Sequence, residues 1–140
     1  MKQIAFFFII SASIIACGSQ SNSSTNSPNQ EVKQTARVKQ LAQGDLKQVL
    51  AQDSVIVVDV RTPGEVQAGY IPEADLFIDY RSASFQSKIK ELDPNYTYVM
   101  YCRSGGRSGQ ASSFMVQNGF NNVYNLQGGV LQYTGELKKP

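Results

Sequence analysis

The stretch Tyr98-Val99-Met100-Tyr101-Cys102-Arg103-Ser104-Gly105-Gly106-Arg107-Ser108 decides the fold. Its first half is apolar and β-favouring, and its second half is a short, glycine-rich, basic turn. A helical pattern follows at once, over 107–118, with Ala111, Phe114 and Met115 at helical spacing and Gly119 placed to stop it. The order is strand, tight turn, helix, and Cys102 stands where the strand gives way to the turn. Gly105 and Gly106 let the backbone curl so that successive N–H groups point inward. The helix start adds free N–H groups and the positive end of its dipole. Arg103 and Arg107 add full charge. A lone cysteine at a strand end is ordinarily a small buried hydrophobe. Thiol, glycines, arginines and helix start together within seven positions describe an anion site with a reactive sulfur at its edge.

The same alternation extends outward from this stretch. Val55-Ile56-Val57-Val58-Asp59-Val60 is a β-branched run of the kind buried on both faces of a parallel sheet. It ends in Arg61-Thr62-Pro63-Gly64-Glu65, where Thr62 and Glu65 form a capping box and Pro63 suits the first helical position. Gly69 fits the stop of that helix. Before this run, Leu41, Leu46, Val49 and Leu50 mark a short helix with Asp45 as its N-cap. After it, Leu76-Phe77-Ile78 reads as a strand. Phe85, Ile89 and Leu92 read as a helix ended by Asp93-Pro94, and Val123-Tyr124 as a further strand. Gly128 to Leu137 reads as a terminal turn and helix. Strands alternating with helices predict a parallel α/β domain. In such sheets ligands sit at the carboxyl ends of strands, where both Asp59-Arg61 and Cys102 fall.

Four motifs, in order, resemble those of the rhodanese family. Asp59-Val60-Arg61-Thr62-Pro63-Gly64-Glu65 is similar to the family's first signature. Gly69-Tyr70-Ile71-Pro72-Glu73-Ala74 is similar to its Gly-His-Ile-Pro-Gly-Ala segment. Tyr101 to Ser108 resembles its active-site loop, and Asn125-Leu126-Gln127-Gly128-Gly129 its closing Gly-Gly motif. The resemblance covers about residues 35–138. It implies a three-layer α/β domain with a central parallel sheet flanked by helices. It also implies sulfur transfer through a persulfide on Cys102, from thiosulfate or a similar donor to a thiol or cyanide. Carried onto this chain, the backbone of Arg103, Ser104, Gly105, Gly106, Arg107 and Ser108 would cradle the sulfur, and Arg103 and Arg107 would hold the anionic donor. Asp59 and Arg61 either shape the loop from the neighbouring strand or form a structural ion pair. The sequence departs from the family at Tyr70, at Glu73 and in lacking the late tryptophan, whose place Tyr133 is expected to take.

The chain has 140 residues, a net charge of +2, no histidine and two cysteines. That length allows one ordinary domain. So small a charge does not argue for nucleic acid. Without histidine there is no Ser-His or Cys-His pair and no imidazole metal site. Nothing in the sequence calls for a metal or other cofactor. Met1-Lys2-Gln3 followed by the apolar run to Ile15 has the length of a signal-peptide core. It ends in Ile14-Ile15-Ala16-Cys17-Gly18, which resembles the lipobox of bacterial lipoproteins. That resemblance implies a signal peptide over 1–16, cleavage before Cys17 and lipid on its sulfur and new amino terminus. Residues 17–34 then form a Ser/Asn/Gln-rich tether that cannot pack a core. The expected place is exported and lipid-anchored, at the outer membrane or periplasmic face of a Gram-negative cell and otherwise on the outer face of the cell membrane. An ordinary secretory signal with a chance cysteine is the other reading.

Two other functions compete. Cysteine phosphatases and arsenate reductases of related fold place an arginine where Ser108 stands here, and a shorter loop encloses a smaller group. Rhodanese-like domains also serve as sulfur carriers or protein-docking modules without catalysis.

Overall fold

The computed structural model describes residues 36–140. The expected signal segment, Cys17 and the whole tether lie outside the described residues. Five strands form one sheet: β1 (Lys39–Leu41), β2 (Val55–Asp59), β3 (Leu76–Phe77), β4 (Thr97–Tyr101) and β5 (Asn122–Leu126). Their order is β1-β5-β4-β2-β3 and every pairing is parallel. The helices are α1 (Leu46–Leu50), α2 (Pro63–Gln67), α3 (Phe85–Lys90), α4 (Gly106–Gln117) and α5 (Gly129–Gln132). This is the expected α/β architecture.

β4 is central, and the pleat divides its side chains between two cores. Tyr98 and Met100 face a cluster with Phe85 and Ile89 of α3 and Ala111 and Met115 of α4. Val99 and Tyr101 face the other side, among Leu46, Val49, Ile71 and Leu126. All four are fully buried, and such a side chain contributes about 1.5–3 kcal/mol. Both tyrosines keep their hydroxyls bonded. Tyr98 Oη donates to Asp93 O at 2.8 Å, and Tyr101 Oη accepts from Ile71 N at 3.2 Å. Burial pushes the Tyr98 phenol up to about 12 and raises that of Tyr101 as well.

Sequence and structure differ at the two ends. Leu41 belongs to the edge strand β1, not to a helix. Of its three residues only Leu41 turns inward, so Lys39-Gln40-Leu41 carries no alternating pattern to read. A 3₁₀ turn, Gln43–Asp45, leads into α1, and Asp45 makes no side-chain cap bond. The terminal helix is only α5. Beyond Tyr133 the chain is irregular, with a bend at Gly135; Leu137 packs on the second core, and Lys138 bridges Tyr70 with bonds of 2.8 and 2.9 Å. Those long-range contacts override the local pattern.

Candidate active site

β2 and β4 run parallel and in register, Asp59 beside Tyr101, so their carboxyl ends open on the same edge of the sheet. Cys102 follows β4 on the α4 side and is 1% exposed. The glycine at 105 takes φ +95°, which turns the chain straight into α4 with no side-chain cap. Uncapped N–H groups at the helix start therefore remain for the site. Gly105 N donates to Cys102 Sγ at 3.2 Å, and Ser108 Oγ lies 3.5 Å from the same sulfur. Burial pushes the thiol up. The Ser108 hydroxyl and the amides of Ser108, Ser104 and Gly105 outweigh it, so the pKa of Cys102 falls below its ordinary value.

The closing Gly-Gly motif completes the loop from the far side. Val130 N donates to Cys102 O and Leu131 N to Arg103 O, both at 3.0 Å. Gly129, at φ +51°, lies so close that a Cβ would overlap Cys102 O and stand 2.9 Å from Arg103 O. Only glycine allows α5 to start there.

The expected site residues separate into two groups. Arg103, Ser104, Gly105, Gly106, Arg107 and Ser108 make up the loop and the start of α4, with Arg103, Ser104 and Gly106 exposed and Ser108 buried. Arg107 is engaged: its Nη1 and Nη2 donate to Glu65 Oε2 and Oε1 at 2.7 and 2.6 Å. Glu65 also closes the capping box of α2, accepting from the N-cap Thr62 N at 3.1 Å. Asp59 and Arg61 form a buried pair, Nη2 to Oδ2 at 2.6 Å. Burial lowers the Arg61 pKa, but its bonds to Asp59 outweigh that and raise it. Arg61 also donates to Gly69 O at 2.8 Å, so this pair fastens α2 to the end of β2. Its link to the loop is indirect, through the Tyr101 ring lying 5.7 Å from the Arg61 guanidinium.

Two departures from the family motifs meet, since Tyr133 Oη donates to Glu73 Oε2 at 3.3 Å. Tyr70 stacks edge-on against Phe77, with centroids 5.0 Å apart. Sequence reasoning missed the roles of Glu65 and Asn125. Asn125 accepts from Ser108 Oγ at 2.6 Å and donates to Gln40 Oε1 at 3.1 Å. The available signal was a polar residue next to Leu126 at the end of a strand with buried neighbours.

Residues 42–136 match the family described as Rhodanese-like domain. The chain belongs to the rhodanese-like family. It is 35% identical over 97 residues to a protein named sulfurtransferase from Allochromatium vinosum, covering 69% of this chain and 88% of that one. It is 33% identical over 102 residues to the putative sulfurtransferase YtwF of Bacillus subtilis, covering 72% and 95%. Among solved structures, a rhodanese-like domain protein from Staphylococcus aureus superimposes with a TM-score of 0.63 at 30% identity, covering 74% of this chain and 99% of that one. The family match over 42–136 takes in the loop and the strands β2 to β5.

Proposed function

We propose that the protein is a sulfurtransferase that carries sulfane sulfur on Cys102. The observation that carries this reading is a single buried thiol ringed by backbone donors. The Cys102 thiolate attacks the outer sulfur of thiosulfate or a similar donor. A sulfur–sulfur bond forms to Cys102, the donor's own bond breaks, and sulfite leaves with its electron pair. The terminal sulfur of the persulfide is then an anion, and the amides already aimed at the site stabilise it without reorganising. An acceptor thiolate or cyanide attacks that terminal sulfur, and the Cys102 thiolate leaves. Exposed Arg103 is the first cation an anionic donor meets. Arg107, with two of its five N–H donors held by Glu65, keeps the others for the donor or the loop.

Cleavage before Cys17 and lipid on its sulfur would place this domain outside the cytoplasm, on a tether from the membrane. In a Gram-negative cell that is the outer membrane or periplasmic face, and otherwise the outer face of the cell membrane. Each buried CH₂ of the anchor contributes about 0.8 kcal/mol.

Intact-mass measurement after thiosulfate treatment tests the reading. The expected result is a gain of one sulfur atom that cyanide or a thiol removes and that Cys102→Ser abolishes. No adduct with any donor would favour a docking role. Phosphatase turnover of an aryl phosphate, lost in Cys102→Ser, would favour a cysteine phosphatase instead. The position where such phosphatases place their arginine is held here by Ser108, whose hydroxyl lies 3.5 Å from the sulfur.

A further inference from the structure

A short polar chain runs from the reactive sulfur to the protein surface. Ser108, fully buried, has one hydroxyl hydrogen and three acceptors in reach. They are Asn125 Oδ1 at 2.6 Å, Gly105 O at 3.2 Å and Cys102 Sγ at 3.5 Å. Asn125 is 6% exposed and passes the chain on, its Nδ2 donating to Gln40 Oε1 at 3.1 Å. Gln40 is the in-register neighbour of Asn125 across β1 and β5, and it is exposed. Beside the amide lies Gly109, where a Cβ would stand 3.3 Å from Asn125 Nδ2. The glycine leaves the amide room to turn.

We propose that Asn125, steered by Gln40, is a positioning residue that decides whether the Ser108 hydroxyl hydrogen points at the sulfur on Cys102. With Asn125 Oδ1 toward Ser108, the short 2.6 Å contact takes the larger share of the hydroxyl hydrogen and leaves the sulfur only the long 3.5 Å contact. With the amide turned by half a turn, Nδ2 donates to Ser108 Oγ and the hydroxyl hydrogen is free for the sulfur. Oδ1 then faces Gln40, which turns its own amide to donate. The exposed end of the chain exchanges its partner with water, so the turn leaves no buried group unsatisfied. The first arrangement suits a neutral thiol and the second suits a thiolate or a persulfide anion. The sulfur thus gains the full share of this hydroxyl hydrogen only when it carries charge. This rests on the reading of Cys102 as the sulfur carrier.

The other charged groups near the sulfur are Arg107, Glu65 paired with it, Asp79 within Coulombic reach of Arg107, and exposed Arg103. All stay in place in the test. Gln40→Glu offers only acceptors, holds Asn125 Nδ2 outward and keeps the hydroxyl hydrogen off the sulfur. Gln40→Lys offers only donors and does the reverse. Both changes are on the surface, and each is made in the full-length chain with and without Ser108→Ala. The readout is the pH profile of Cys102 alkylation by iodoacetamide, in buffer with enough salt to screen surface charge. Below the thiol's titration, Gln40→Glu is expected to slow alkylation and Gln40→Lys to speed it. The expected size is about threefold to tenfold, one hydrogen bond's share of a thiolate pKa. Both effects should vanish in the Ser108→Ala background. Equal effects with and without Ser108, or none at all, overturn the proposal. Alkylation needs no sulfur donor, so this result is independent of whether the persulfide forms.

Discussion

Replacing Glu65 by Gln removes one charge and almost no volume, and the structure lets its cost be worked out. The carboxylate accepts two bonds from Arg107 and two from Thr62, through the backbone N–H and the hydroxyl. Its bonds to Arg107, opposed by burial and helped by Thr62, hold its pKa at about 2 against an ordinary 4.5. A tenfold change in proton affinity is about 1.4 kcal/mol, so full coupling would be worth about 3 kcal/mol. The two side chains are 18% and 30% exposed, and solvent screening brings the figure to about 1–2 kcal/mol. Because the folded pKa is depressed, this stability is fully present above 4.5 and is lost as pH falls toward 2. Urea unfolding at pH 7 should therefore find Glu65→Gln less stable by about 1–2 kcal/mol. The gap should narrow when the measurement is repeated between pH 4.5 and 3. A gap that is absent at neutral pH, or unchanged in acid, would show that the pair does not hold α2 to the loop.

Further outcomes follow from the same geometry. Arg107→Ala should weaken binding of thiosulfate, read as a raised KM. It should also lower stability by about the same 1–2 kcal/mol, and unchanged kinetics would remove Arg107 from the donor site. Gly129→Ala, at φ +51° and against Cys102 O, should destabilise the fold by at least about 1–3 kcal/mol in urea unfolding. A neutral result would mean that α5 does not seat against the loop. Ser112 Oγ is the buried side-chain atom without a partner among the described residues. Ser112→Ala should therefore be neutral or stabilising, by up to about 1–3 kcal/mol, and thermal unfolding that shows a clear loss would reveal a partner. The alkylation profile of Cys102 should rise at a pH below the ordinary thiol value of 9.0, and an unshifted profile would contradict the amide cradle.

Much of the site was legible because its parts are local. β4, the turn and α4 lie within one continuous stretch, and the Thr62–Glu65 capping box is readable from spacing alone. The buried Asp59–Arg61 pair follows from two residues on one strand end. What could not be read is what joins positions distant in sequence. Glu65 was visible as a cap, but its grip on Arg107 spans 42 positions. Asn125 looked like one letter of a glycine motif, and its link to Gln40 spans 85 positions. β1 and the irregular tail from Tyr133 were missed for the same reason. Their conformation is imposed by β5 and by Tyr70, not by their own composition.

The contacts from Val130 and Leu131 to the carbonyls of Cys102 and Arg103 have a bearing on how the protein matures. The segment that braces Cys102 is made after it, so a nascent chain halted before Gly128 carries the cysteine without these contacts. Such a truncated product would present a thiol without its brace, open to stray oxidation.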